Sequence, residues 1–163
     1  MQRAARGIGY VAIGILGTLL SLQAAAQAAK PLGTSDHEIS GVEVTLLELK
    51  RASGDTVTAK RRYTNKDHDT KQLTKGTGGD DPYKLSIESY LVDPVNKKKY
   101  LVLKDSKGKP IAAAHGSSYH PIKLEGGKAI NTWAKYPAPP AGVEKVSVYI
   151  QGVAPFEDVP LSK

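Results

Sequence analysis

Val42-Glu43-Val44-Thr45-Leu46 alternates apolar and polar side chains, and a short turn later Thr56-Val57-Thr58-Ala59-Lys60-Arg61-Arg62-Tyr63-Thr64-Asn65 is rich in β-branched residues. Alternation with a period of two puts Val42, Val44 and Leu46 on one face of an extended strand. Ser53-Gly54-Asp55 supplies turn chemistry between the two stretches, so they read as successive strands. Leu47 and Leu49 shift the apolar phase by one residue, which a β-bulge or a strand passing between sheets would produce. Lys60, Arg61 and Arg62 are expected to make the outward face of the second strand basic.

The same pattern continues toward the C-terminus. Tyr83 to Val92 reads as one strand, and Asp93-Pro94-Val95-Asn96 turns it into a hairpin with Tyr100-Leu101-Val102-Leu103. Short strands are expected at 111–114 and 120–124, then at Ala129 to Tyr136, which carries the single tryptophan, Trp133. Pro137-Ala138-Pro139-Pro140 cannot sit in a central ladder, and Val143 to Ile150 follows with Val146, Val148 and Ile150 on one face. The tail around Phe156-Glu157-Asp158-Val159 is expected to pack as an edge segment. About seven to nine short strands separated by turns predict an all-β fold, an immunoglobulin-like antiparallel β-sandwich. No stretch beyond the N-terminal region holds a helical period.

Residues upstream of these strands read differently. Arg3 and Arg6 precede an uncharged apolar run from Gly7 to Leu22, then the small-residue tract Ala24-Ala25-Ala26-Gln27-Ala28-Ala29. A basic end, an apolar middle and an A-x-A junction are the signature of a cleavable secretory signal peptide, expected over residues 1–28. The apolar run, broken by Gly9, Gly14 and Gly17, falls short of the ~20 residues that span a bilayer, so no stable membrane anchor is expected after cleavage. A periplasmic or secreted product follows. Residues 29–40, polar and containing Pro31 and Gly33, read as a flexible segment, leaving residues 41–163 as the folded domain.

Composition narrows the functional classes. The 163-residue chain has a formal net charge of +7, and setting aside Arg3 and Arg6 leaves +5. Such a balance gives weak attraction to anionic surfaces. The basic residues form no nucleic-acid motif and alternate with no aromatic ladder, so nucleic acid is not an expected partner. With no cysteine, disulfides, thiolate metal sites and a cysteine nucleophile are excluded.

Tyr90-Leu91-Val92-Asp93-Pro94-Val95, Trp133-Ala134-Lys135-Tyr136-Pro137-Ala138-Pro139-Pro140-Ala141-Gly142-Val143 and the closing Val153 to Leu161 give the chain a recognisable text. It resembles a family of secreted or lipoprotein-anchored bacterial immunoglobulin-like domains of the uncharacterised DUF4352-like kind, some of which sit beside an OmpA-like domain. The resemblance covers most of the chain from about Val42 onward and carries no general catalytic residues. The chain departs from that family in having no lipid-attachment cysteine and no OmpA-like partner, which implies a soluble product.

His115 and His120 flank Gly116-Ser117-Ser118 and, with His37 and His68, are the available imidazole ligands, yet a zinc site needs three or four converging groups. Asn65, Asp67 and Asp69 begin like a calcium loop, but Thr70 and Gly76 stand where that loop needs glycine and glutamate. His115, His120, Asp67 and Asp69 are therefore the metal candidates, with exposed polar loops as the plainer account, and no metal or cofactor is expected. No G-x-S-x-G elbow occurs, and His115 near Ser117 or Ser118 is sequence proximity alone. Glu157 and Asp158 would point to opposite faces of an extended strand and form no acid–base pair. Tyr63, Tyr136 and Trp133 read as core, whereas others of the chain's eight tyrosines suit a recognition surface. The expectation is a non-enzymatic exported module that binds a protein or another cell-envelope macromolecule. The alternative is a periplasmic small-ligand or metal-ion-binding protein using the 66–82 and 115–120 loops.

Overall fold

The computed structural model describes residues 30–74, 81–116 and 120–162. The leader expected over residues 1–28 lies outside the described residues, as do Ser117 and Ser118. In chain order the elements are β1 (Gly33–Asp36), β2 (Val42–Ala52), β3 (Thr56–Asn65), β4 (Lys71–Gln72), a single helical turn α1 (Lys84–Ile87), β5 (Ser89–Asp93), β6 (Lys98–Leu101), β7 (Lys123–Leu124), β8 (Ala129–Pro137), β9 (Lys145–Ile150) and β10 (Phe156–Pro160). Two four-stranded antiparallel sheets, ordered β1-β2-β3-β8 and β10-β9-β5-β6, enclose one core. The chain passes from β3 to β5, returns from β6 to β8 and crosses again to β9, the crossing pattern of a Greek-key sandwich. A small satellite ladder pairs β4 with β7.

Alternation builds the interior. Val42, Val44, Leu46 and Leu49 of β2, Val57 and Ala59 of β3, and Ala134 and Tyr136 of β8 meet Leu91, Val146, Val148, Ile150 and Phe156 from the other sheet. The apolar phase shift in β2 is a bulge: Leu46 opposes Arg61 and Glu48 opposes Lys60, so Leu47 is the extra residue and Leu49 returns to the core. The hairpin expected at 90–104 forms as β5 and β6, with Tyr90 opposite Leu101 and Asp93 opposite Lys98.

Several local expectations are corrected. Within the segment read as flexible, Gly33–Asp36 pairs along β2 in register from Leu46 to Glu43. An edge strand held by backbone hydrogen bonds needs no apolar alternation, which is why Gly-Thr-Ser-Asp carries no strand signal. Gly33 also lies under the Phe156 ring, where an added Cβ would come within 2.7 Å of it. The stretch 83–92 is not one strand. Asp81 Oδ1 accepts from the Tyr83 backbone N–H at 2.8 Å, and the Ile87 N–H reaches the Tyr83 carbonyl at 2.9 Å, winding one helical turn ahead of β5. At 111–114 no strand forms; Ala112 bridges Ala134, and the Ala113 N–H donates to the Trp133 carbonyl at 2.9 Å, covering the outer edge of β8.

Parity also overrides residue type. Arg61 shares the inward set of β3 with Val57, Ala59 and Tyr63 and is wholly buried, so the basic stretch is not outward throughout. Its Nη2 donates to the Leu85 and Ser86 carbonyls at 2.7 and 3.0 Å, the end of α1 that lacks helical partners. Around it Ser86 Oγ donates to the Ala113 carbonyl at 2.7 Å and shares a 2.6 Å hydrogen bond with Thr132, while Ser89 Oγ does the same with Tyr136 at 2.6 Å. Tyr63 and Tyr136 are core as expected, whereas Trp133, of opposite parity on β8, faces out at 37% exposure. Glu157 and Asp158 are both exposed, because Asp158 adopts φ 52° and the register with β9 shifts between Phe156 and Val159.

Candidate recognition face

The residues of β5, β6 and β9 that do not enter the core stand together on the outside of the second sheet. Register fixes two rows across it: Tyr149–Tyr90–Leu101 and Ser147–Val92–Lys99. Cross-strand neighbours of this kind lie about 4.5–5.5 Å apart at Cβ. The Tyr90 and Tyr149 rings accordingly stack, their centroids 4.7 Å apart and their planes within 8°. Lys99 Nζ sits 3.6 Å from the Tyr90 centroid, so Tyr90 is held between a ring and an ammonium ion. Leu101 completes the row with 61% of its surface exposed.

Two depressions meet at this row. One, about 360 Å³, is lined by Ile87, Tyr90, Leu101, Tyr149 and Ile150 among others; the second, about 310 Å³, by Ile87, Leu101, Val102, Lys104 and Pro110. Ile87, Glu88 and Leu101 belong to both, so the groove runs on either side of the Leu101 side chain. Apolar surface with a few polar groups at its margin is the composition of contact surfaces. The arrangement can receive an apolar side chain beside Leu101 and offer hydroxyls at the tyrosine tips.

The carboxylates nearest to it are already engaged. Asp93 accepts from the Val95 and Asn96 backbone N–H groups at 2.9 and 3.0 Å and from Asn96 Nδ2 at 2.7 Å. Burial works against the Asp93 carboxylate, and these hydrogen bonds outweigh it, holding its pKa below the usual value. Asp105 accepts from the backbone N–H groups of Lys107 and Lys109, both at 2.9 Å. With its amide nitrogen turned toward Glu88, Gln151 donates to Oε1 at 3.0 Å.

The loops singled out in the sequence assemble less. Asp67 pairs with Lys71 at 2.5 Å and packs against Gly41, while Asn65 spends its side-chain amide on the Asp69 and Leu124 carbonyls at 2.7 and 3.0 Å. Asp67 and Asp69 therefore brace the loop, and no group of three His, Cys, Asp or Glu side chains that could hold a metal occurs among the described residues. His120 is exposed and His115 half-buried, its Nε2 enclosed without a hydrogen bond. Burial, then the Arg61 charge, lowers the His115 pKa. Part of the 66–82 loop borders a cavity of about 230 Å³ at the end of the sandwich, with His37, Glu38, Tyr63, Thr74, Lys84 and Glu88 in its lining. Burial lowers the His37 pKa against the opposing charge of Glu38, and its Nδ1 accepts from the Ile39 N–H at 3.0 Å.

Sequence reasoning placed tyrosines at recognition surfaces without saying which. Tyr90 and Tyr149 carry the signal in their parity, since each is flanked by inward residues, Leu91 and then Val148 and Ile150. Their adjacency depends on the pairing of β5 with β9, strands far apart in the chain.

No protein-family model matches the chain, and no curated protein does. Among solved structures it is similar to a functionally unknown protein from Listeria monocytogenes EGD-e, at 12% identity and a TM-score of 0.45, over 80% of this chain and 84% of that one. The class of protein that the fold defines is an all-β antiparallel sandwich.

Proposed function

We propose that this chain is a non-enzymatic binding module, exported to the periplasm or the medium, that meets another macromolecule of the envelope or its surroundings through the outer face of the second sheet. The observation that carries the reading is the in-register row of Tyr149, Tyr90 and Leu101, with Leu101 61% exposed at the junction of two depressions. Leaving an aliphatic side chain of that size in water forgoes about 1.5–3 kcal/mol of burial, which a partner would recover. The signal-like leader of residues 1–28 supports export.

Stacking also selects among partners. A sugar ring docks on an open aromatic face, and both faces of Tyr90 are taken by Tyr149 and Lys99. That favours a protein, which can use ring edges, hydroxyls and the Leu101 side chain. The test is affinity capture from envelope extract with the processed protein and with Leu101→Glu as paired baits. A protein retained by the first and lost by the second is the expected result. Identical captures by both baits, or no capture together with a clean catalytic turnover, would overturn the reading.

A further inference from the structure

We infer that the outer face of the first sheet binds an acidic polysaccharide, with a sugar ring on Trp133 and the carboxylate of that sugar held between Lys50 and Lys135; the site is separate from the tyrosine face. Register builds it from three strands. Two adjacent rows run across β2, β3 and β8: Lys50–Thr58–Lys135 and Glu48–Lys60–Trp133. Neighbouring strands lie about 4.8 Å apart, so Lys50 and Lys135 stand roughly 10 Å apart at Cα. Thr58 is short and half-buried, which leaves the space between them open to their long, flexible stems. A depression of about 250 Å³ lies there, lined by Glu48, Lys50, Ala52, Thr58 and Lys60 among others.

Charge decides what enters it. The carboxylate of these two rows, Glu48, is already paired with Lys60 at 3.1 Å. Lys50 and Lys135 form no ion pair with a described residue, and further along the face Glu43 is taken by Lys66. Arg51, at the rim of the depression, spends its guanidinium on the Pro139, Pro140 and Val143 carbonyls. The next acid along these strands, Asp55, belongs to the turn between β2 and β3. An anion above Thr58 therefore meets two ammonium ions on the same side of the sheet, and each donates a charge-assisted hydrogen bond.

Trp133 decides what carries the anion. Its indole is 37% exposed and, among the described residues, no aromatic ring or ammonium ion packs on it, unlike Tyr90. The C–H face of a sugar ring is apolar and lies flat on such a surface. Thr58 and Trp133 are diagonal neighbours, about 7–8 Å apart, so a carboxylate on the rim of a ring stacked on Trp133 comes within reach of the lysines beside Thr58. A protein contact needs a larger apolar centre, and a single-stranded nucleic acid needs a series of stacking rings. One indole among lysines suits a polar ligand with one apolar surface.

Trp133 is the chain's single tryptophan, so its fluorescence reports this site. The probes are hexagalacturonate, its fully methyl-esterified form, hexaglutamate and a thymidine hexanucleotide, each titrated into the processed protein with calorimetry alongside. Hexagalacturonate is expected to bind and change the Trp133 emission, and the ester and hexaglutamate to bind at least about tenfold more weakly. By calorimetry, Lys50→Glu/Lys135→Glu and Trp133→Ala are each expected to weaken binding at least about tenfold with unchanged circular dichroism, while Leu101→Glu binds as the parent does. Absence of hexagalacturonate binding at about 1 mM, the weak end of measurable affinity, overturns the proposal. So does equal binding of hexaglutamate, which would mean plain attraction to a polyanion, or tighter binding of the hexanucleotide, which would mean a nucleic-acid face. Binding lost in Leu101→Glu and kept in Lys50→Glu/Lys135→Glu would move the sugar to the tyrosine face and overturn the proposal as well.

Discussion

The outer faces of the two sheets are built from the same alternation and finished differently. On the first, polar groups answer one another across the strands: Lys60 pairs with Glu48 at 3.1 Å, Lys66 with Glu43 at 2.5 Å, and Arg62 Nε donates to Asn131 at 2.9 Å. On the second, Tyr149, Tyr90 and Leu101 form a row, with Lys99 set over the Tyr90 ring. The first face closes part of its charge on itself, while Lys50, Lys135 and Trp133 also stand outward on it. The second keeps a contiguous apolar row with 61%-exposed Leu101 at its end, and on the proposed reading that row is the contact face.

The contrast can be tested by comparing costs. Interior changes set the upper bound: Leu46→Ala, fully buried in β2, is expected to lose about 2–5 kcal/mol in denaturant unfolding. Tyr149→Ala, which removes half of the stacked pair, is expected to cost about 0.5–1.5 kcal/mol and to lose partner capture. Leu101→Ala should leave stability within about 0.5 kcal/mol while capture is lost. A stability loss at Leu101 as large as that at Leu46 would show the exposed leucine to be structural and break the contrast. On the first face, Lys60→Ala is expected to cost under about 1 kcal/mol, since that pair is exposed, and to leave capture unchanged.

Both half-buried histidines give a pH signature that belongs to the interior and to neither face. Their folded pKa values are lowered, so the unfolded chain binds protons more readily, and stability is present above the unfolded value near 6.5 and is lost as pH falls through it. The melting temperature is expected to fall between about pH 7.5 and 5.5. The fall should shrink in His115→Gln and in His37→Gln; an unchanged profile in both variants would reject this assignment.

Much of this was legible beforehand where the signal is local. Val42-Glu43-Val44-Thr45-Leu46 names its own inward face, the slip at Leu47 gives the bulge, and Asp93-Pro94-Val95-Asn96 gives the β5–β6 hairpin. Edge strand β1 was not legible, because its pairing is carried by backbone groups that every residue possesses. Nor was α1, which an Asx turn at Asp81 starts against an alternating pattern that reads as strand. Trp133 was misplaced by residue type; parity on β8, and its pairing opposite exposed Lys60, turn it outward.

Short-range alternation and turn chemistry thus determined that the chain forms antiparallel strands and which side of each faces inward, because both depend on neighbours within a few residues. Tertiary structure alone decided that Arg61 would be buried beneath α1, that Asp67 would be spent on Lys71, and that Tyr90, Tyr149 and Leu101 would share a row. Those outcomes depend on register between strands distant in the chain, and register is set by burying one common core rather than by any residue's own preference.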